Sequence, residues 1–146
     1  MKIVPYESKY YNRCLEIIQS NTPKYIDESE HADFENYLSK GEKTYFVVFK
    51  KSILIACGGY ALNSLKTKAG LSWGLVHRDY HQQGIGRELL HFRIDHIKTH
   101  YPSVEIQLET SQHTYKFFVK FGFKLIKIEK NGWAKGLDKY DMKFIG

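Results

Sequence analysis

No stretch of this chain approaches the ~20 consecutive apolar residues that a membrane-spanning helix needs, and no basic-then-apolar leader opens it. A cytoplasmic protein without a membrane partner is the expectation. Cysteine is scarce: Cys14 and Cys57 have no metal-ligand spacing and sit in apolar contexts, which suits two inert thiols in a reduced core. No metal set replaces them, because His77 and His81, four apart in a polar turn, have no further ligand beside them. Internal repeats, low-complexity tracts and linkers are also missing, so residues 1–146 read as one domain. A chain of that length buries roughly two-thirds of its unfolded surface without staples. What is present is a globular composition, 42% hydrophobic with 15% aromatic residues, and a formal charge of +6. The charge implies affinity for anions. Its Lys and Arg residues are scattered rather than gathered in one stripe, so a polyphosphate cofactor explains the excess as well as nucleic acid does, and no nucleic-acid partner is expected.

Periodicity divides the chain into alternating strands and helices. A strand over 2–6 precedes a helix over about 8–20, whose apolar seam is Tyr10, Cys14, Ile17 and Ile18. Asn21-Thr22-Pro23 breaks it. Asp27 or Ser29 then caps a second, acidic helix that carries Phe34, Tyr37 and Leu38 to about Ser39. Residues 45–49 and 53–61 form a hairpin around Lys50-Lys51-Ser52, with a bulge or bend at Gly58-Gly59. A strand over 70–76, a helix from Gly86 that stops before Pro102, and an alternating strand over 104–109 follow. A short helix holds Tyr115, Phe118 and Val119 and closes at Gly122; two final strands, 123–128 and 139–144, are joined by a loop with Asn131-Gly132, Trp133 and Gly136.

The most informative stretch is 73–90, WGLVHRDYHQQGIGRELL. An apolar run gives way to a polar turn, then Gly84-Ile85-Gly86-Arg87, then a helical seam at Leu90, Ile94, Ile97 and Tyr101. Glycines at a strand-to-helix handover let an anion approach backbone N–H groups that lack intrahelical partners. Two phosphate-binding patterns fail on the letters. A P-loop needs a Lys-Ser/Thr pair that is absent, and a dinucleotide fingerprint needs a third glycine where Leu89 stands.

Arg78 to Leu90, with Gly84 and Gly86, resembles the acyl-CoA-binding motif [RQ]xxGx[GA] of GNAT N-acetyltransferases, with His81 in the place of the usual Arg or Gln. Phe118-Val119-Lys120-Phe121-Gly122-Phe123 resembles that family's Y-x-K-x-G-F segment, and the order of elements matches its fold, so the resemblance covers nearly the whole chain. It implies an α+β architecture: a central twisted, mixed but mostly antiparallel sheet of about seven strands flanked by about four helices. It further implies acetyl-CoA as co-substrate, an amine acceptor as the other partner, no metal, and leaves room for a homodimer. The pantetheine arm would lie between the splayed strands ending at Val76 and Glu109, paired with backbone at Leu75 and Val76. The turn His81, Gln82, Gln83, Gly84, Ile85, Gly86 and Arg87 would hold the pyrophosphate, and Phe118 would line the arm. Residues 22–34 and 130–137, with Tyr25 and Trp133 foremost, would wall the acceptor.

The implied chemistry is direct attack of an amine on the thioester, which needs a proton acceptor and preplaced donors for the oxyanion. The chain departs from the pattern at Phe118, where many relatives place a Tyr general acid. Tyr115, one helical turn earlier, is the replacement to be tested, with Ser111 and the weaker His113 behind it; Glu109, at a strand end, is the candidate base. Loss of that Tyr also motivates the alternative of a non-catalytic acyl-CoA-binding or sensing module.

Overall fold

Tyr45 and Val47 point to one side of a strand and Phe46 and Val48 to the other, yet all four are buried. Such a strand lies in the middle of a sheet covered on both faces. The computed structural model, which describes residues 1–146, has seven strands and four α-helices: β1 Lys2–Pro5, α1 Tyr11–Ser20, α2 His31–Ser39, β2 Thr44–Lys50, β3 Ile53–Leu62, β4 Lys68–Val76, α3 Ile85–His100, β5 Glu105–Thr110, α4 Tyr115–Lys120, β6 Phe123–Ala134 and β7 Leu137–Phe144. The strands form one sheet in the order β1-β2-β3-β4-β5-β7-β6, antiparallel except for the parallel β4–β5 pair. The expected α+β class, strand count and mixed sheet are what the structure has.

One face packs Cys14, Ile17 and Ile18 of α1 and Phe34 and Leu38 of α2 over Tyr45, Val47, Cys57 and Leu75. The other packs Leu90, Ile94 and Ile97 of α3 over Phe46, Tyr60, Ile106, Leu108 and Met142. Both cysteines are free and buried; a hydrogen bond to Cys57 together with burial pushes the Cys14 thiol well above its ordinary range. The helices end where side chains dictate. The Asp27 carboxylate accepts the Ser29 N–H at 3.0 Å, and Glu30 answers by accepting the Asp27 N–H at 3.4 Å, which starts the turn into α2. Lys51 and Ser52 both take positive φ, 50° and 68°, giving the β2–β3 hairpin the twist of a primed turn.

Two features of β4 position the site. First, β4 pairs with β5 only over Lys68–Gly70 against Glu105–Gln107. Beyond Gly70 the two strands part, and β5 continues by pairing with β7 from Gln107 to Thr110. Second, the β3–β4 register slips between Cys57 and Gly59, with Trp73 opposite at φ 47°. Glycine is required at 59, because a Cβ there would run into the Thr44 carbonyl. Tyr45 donates its hydroxyl to the Trp73 carbonyl at 2.7 Å, and Phe34 lies 5.0 Å from the Trp73 ring, so the bulge is braced from the α1–α2 side.

One expected element needs correction. The loop between the last two strands is the far end of a long hairpin, since β6 runs to Ala134 and β7 begins at Leu137. Asn131-Gly132 lies inside β6, at a bulge. Asn131 takes φ 57°, its N–H donates to Asp138 Oδ1 at 2.8 Å, and its own Oδ1 accepts the Gly136 N–H at 2.7 Å. Side chains thus replace the ladder bonds that the register shift removes.

Candidate active site

The handover from β4 to α3 runs through a single 3-10 turn, Arg78–Tyr80, and then two left-handed residues, Gln82 at φ 62° and Gly84 at φ 80°. The first backbone bond of α3 is Glu88 N–H to the Gly84 carbonyl, 3.1 Å, and no side chain caps the helix. The N–H groups of Gly84, Ile85, Gly86 and Arg87 therefore have no acceptor within the protein. A row of free N–H groups at the positive end of a 16-residue helix offers an anion both donors and partial positive charge. A Cβ on Gly86 would meet the Phe117 ring at 3.5 Å, narrowing the approach from the α4 side.

From this turn a cleft of about 770 Å³ follows the gap between β4 and β5 to the α2 side of the sheet. The structure brings to it most of the residues expected from the sequence: Tyr25, Leu75, Val76, His81, Gln82, Gly84, Gly86, Arg87, Glu109, Phe118 and Trp133. Gln83, Ile85 and Tyr115 do not line it. Gln83 is exposed and accepts from Lys50 Nζ at 3.0 Å. Ile85 is 2% exposed in the core beneath Val48 and Ile55, so the turn retains only its N–H.

The Val76 carbonyl is already engaged twice. Asn21 Nδ2 donates to it at 3.0 Å and His81 Nε2 at 2.9 Å, and because a carbonyl only accepts, Nε2 carries the hydrogen. His81 thus buttresses the end of β4, with the Tyr25 ring 5.4 Å away edge-on. Asn21, 5% exposed, also donates to the Ile17 carbonyl at 2.9 Å and so ties the end of α1 to the end of β4. Asn21→Ala leaves a buried carbonyl half-satisfied. It is expected to cost about 1–3 kcal/mol, read as a lower denaturant midpoint at unchanged slope.

On α4 the cleft sees Thr114, Phe117 and Phe118, an i, i+3, i+4 set. Tyr115 stands about 100° around the helix from Thr114, and its ring packs on Tyr140 with centroids 4.8 Å apart. It was expected to reach the thioester because residues three apart are helix neighbours, but it lies on the flank of Phe118 that faces β7. Ser111 lines the cleft, 5% exposed, where its Oγ accepts the His113 N–H at 3.2 Å; His113 lines it from the exposed start of the α4 turn.

The opposite mouth is acidic and aromatic. Trp133 donates Nε1–H to the Thr110 carbonyl at 2.8 Å, which fixes its indole over the end of β5. Glu109 lines the cleft but is paired with Lys139, Nζ to Oε2 2.7 Å, and this contact raises the Lys139 pKa. Glu30 and Asp33 line the cleft from the α2 side. Burial pushes the Glu30 carboxyl up, opposed by the hydrogen bond it accepts from the Asp27 N–H and helped to a lesser extent by the charges of Asp27 and Asp33. Glu30 falls in the acidic stretch that opens the second helix. Its position three residues after the Asp27 cap was the signal that it turns inward. Arg93, also in the cleft wall, went unnoticed.

No group of three or more His, Cys, Asp and Glu side chains is arranged to hold a metal, and no helix is long and apolar enough to cross a membrane. A family model described as an acetyltransferase (GNAT) domain matches residues 16–145. No curated protein sequence matches the chain. Solved structures that share its fold include the ribosomal-protein-S18-alanine N-acetyltransferase of Escherichia coli, at 21% identity and a TM-score of 0.79 over 98% of this chain and 92% of that one. An aminoglycoside 6'-N-acetyltransferase complexed with coenzyme A gives 14% identity and a TM-score of 0.79 over 100% and 98%. A ribosomal-protein-alanine N-acetyltransferase from Brucella melitensis gives 19% and 0.75 over 100% of each chain.

Proposed function

The chain belongs to the GNAT acetyltransferase family, and we propose that its residues 1–146 act as one domain that moves an acetyl group from acetyl-CoA to a primary amine of a small molecule or a protein. The observation that carries this reading is the continuity of the unpartnered turn at Gly84–Arg87 with the gap between β4 and β5. The pyrophosphate rests on the N–H groups of the turn, with Gly84 and Gly86 allowing close approach. The arm runs in the gap beside Phe117 and Phe118. It pairs with backbone at Leu75, since the Val76 carbonyl has both lone pairs in use. The amine enters past Tyr25 and Trp133. Glu30 takes one proton from the ammonium, the C–N bond forms as the C–S bond breaks, CoA leaves as the thiolate, and the new amide nitrogen releases its second proton to solvent.

With Phe118 in the cleft and Tyr115 packed on Tyr140 instead, no α4 phenol serves the leaving group. A thiolate whose parent pKa is near that of Cys, about 8.5, leaves and takes its proton from water. Tyr115→Phe is therefore expected to change kcat by less than about threefold, where a lost general acid would cost at least about a hundredfold. Steady-state thiol release at saturating acceptor distinguishes the two. Calorimetric titration with acetyl-CoA tests the reading itself: one-to-one binding competed by CoA supports it, and absence of binding removes it. Phe118 is also what favours a second reading, a non-catalytic acyl-CoA-binding or sensing module, which binds acetyl-CoA equally but turns over no amine.

A further inference from the structure

Arg93 projects from the third turn of α3 toward β3 and β4 and is 5% exposed. Two glycines make its seat. A Cβ on Gly74 would stand 2.9 Å from Nη2 and 3.1 Å from Nη1, and a Cβ on Gly58 would stand 3.3 Å from Cζ. The guanidinium thus occupies space that side chains on those strands would fill. Its one hydrogen bond is Nη1–H to the Gly59 carbonyl at 3.3 Å, and Nε is buried with no acceptor. No carboxylate pairs with it. Burial lowers its pKa to about 10, which still leaves it charged at neutral pH. A buried, charged five-donor fork with a single acceptor is an unusual expense in a fold. It lies in the wall of the cleft.

We propose that Arg93 reads the acyl group of the donor, so that the cleft takes CoA thioesters whose acyl chain ends in a carboxylate, succinyl-CoA being the test case, with that carboxylate docked on the Arg93 N–H groups. This rests on the acyl-CoA reading above. The position selects the acyl end. Arg93 is seven residues past Gly86, about 10 Å along α3, and Gly74 is two residues inward from Val76, about 7 Å along β4. Both distances place the guanidinium at the bulge, well beyond the pyrophosphate turn. The pantetheine arm between them carries no charge, and a cationic amine arriving past Glu30 and Asp33 has no use for a buried cation. The acyl chain is the one part of the substrates able to bring an anion to this depth. Carboxylate geometry suits the fork. The transfer is otherwise unchanged: the C–N bond forms, the C–S bond breaks, and the distal carboxylate stays with the amide product.

Calorimetry with succinyl-CoA, butyryl-CoA and acetyl-CoA tests this against a purely structural role in propping the bulge. Wild-type protein is expected to bind succinyl-CoA about tenfold or more tighter than butyryl-CoA, in keeping with a hydrogen-bonded charge. Arg93→Met should erase that preference while butyryl-CoA affinity stays within about threefold, and Arg93→Lys should retain part of it. Equal wild-type affinities, or a preference that survives in Arg93→Met, would overturn the proposal. If Arg93→Met does not fold, the wild-type comparison decides by itself. If none of the three thioesters binds, the fault lies with the acyl-CoA reading on which this one stands.

Discussion

Replacing Glu30 with Gln is expected to lower kcat for amine acetylation by about a hundredfold or more, the range of a lost general base, while acetyl-CoA affinity stays unchanged. An alkylamine is protonated near neutral pH and attacks only after losing that proton. Of the three acids in the cleft, Glu109 is held by Lys139 at 2.7 Å, whereas Glu30 has no cationic partner and a carboxyl pushed up by burial. A raised carboxyl pKa brings the base closer to its task. Gln preserves the oxygen that accepts the Asp27 N–H, so the turn into α2 is kept. The pH dependence has a definite sign. Wild-type activity should fall on the acid side at a pH above the ordinary glutamate value of about 4.3, and the Gln variant should lack that limb. Stability runs the other way. A folded pKa above the unfolded one favours the protonated carboxyl, so its contribution is complete below the unfolded value and lost as pH rises through the folded one. Glu30→Gln should therefore be at least as heat-stable as wild type at neutral pH. Glu109→Gln serves as the comparison, and a larger loss of kcat there than in Glu30→Gln would reverse the assignment.

Gly84→Val should weaken acetyl-CoA binding by about a hundredfold or more, the scale of several lost hydrogen bonds to a charged group. A β-branched side chain at φ 80° is strained, and relieving the strain rotates the N–H groups of the turn away from the ligand. The substitution also places methyl groups where the pyrophosphate would sit, since only Arg87 Nη2, at 3.5 Å, lies near the Cβ position. Backbone strain alone is controlled by Gly136→Val. That glycine has the same φ of 80° with nothing within 4 Å of its Cβ position, and it lies at the tip of the β6–β7 hairpin. Calorimetry should show binding lost in the first variant and kept in the second. Unchanged affinity in folded Gly84→Val would contradict the placement of the cofactor.

The order of strands and helices was legible because each element carries its own period: alternation in Val104 to Glu109, helical spacing in Leu90, Ile94 and Ile97. The glycine turn between β4 and α3 was legible for a similar reason, as two glycines beside an amphipathic seam are a local signal. What escaped depended on contacts between distant residues. Asn131-Gly132 has turn chemistry in isolation, and only Asp138 across the hairpin converts it to a bulge. Tyr115 is three residues from Phe118, but which flank of a six-residue helix faces the cleft is set by β7. Arg93 sits four residues from both Leu89 and Ile97, squarely in the buried seam, and a charge there breaks the pattern. The space it fills is made by Gly58 and Gly74 on two other elements, which no periodicity in α3 reveals. His81, read as a departure in the phosphate motif, supports the end of β4 from within.

The central claim is that this cleft transfers an acyl group rather than merely holding its carrier. The direct measurement is thiol release from acetyl-CoA and from succinyl-CoA across a panel of amines, from small polyamines and aminosugars to peptide N-termini and lysines, with product amide counted by mass spectrometry. Transfer predicts that with at least one of these donors some amine raises thiol release above the amine-free rate, with one acylated amine formed for each thiol freed. Tight thioester binding with thiol release that no amine accelerates from either donor would contradict it, and would leave a binding module in place of an enzyme.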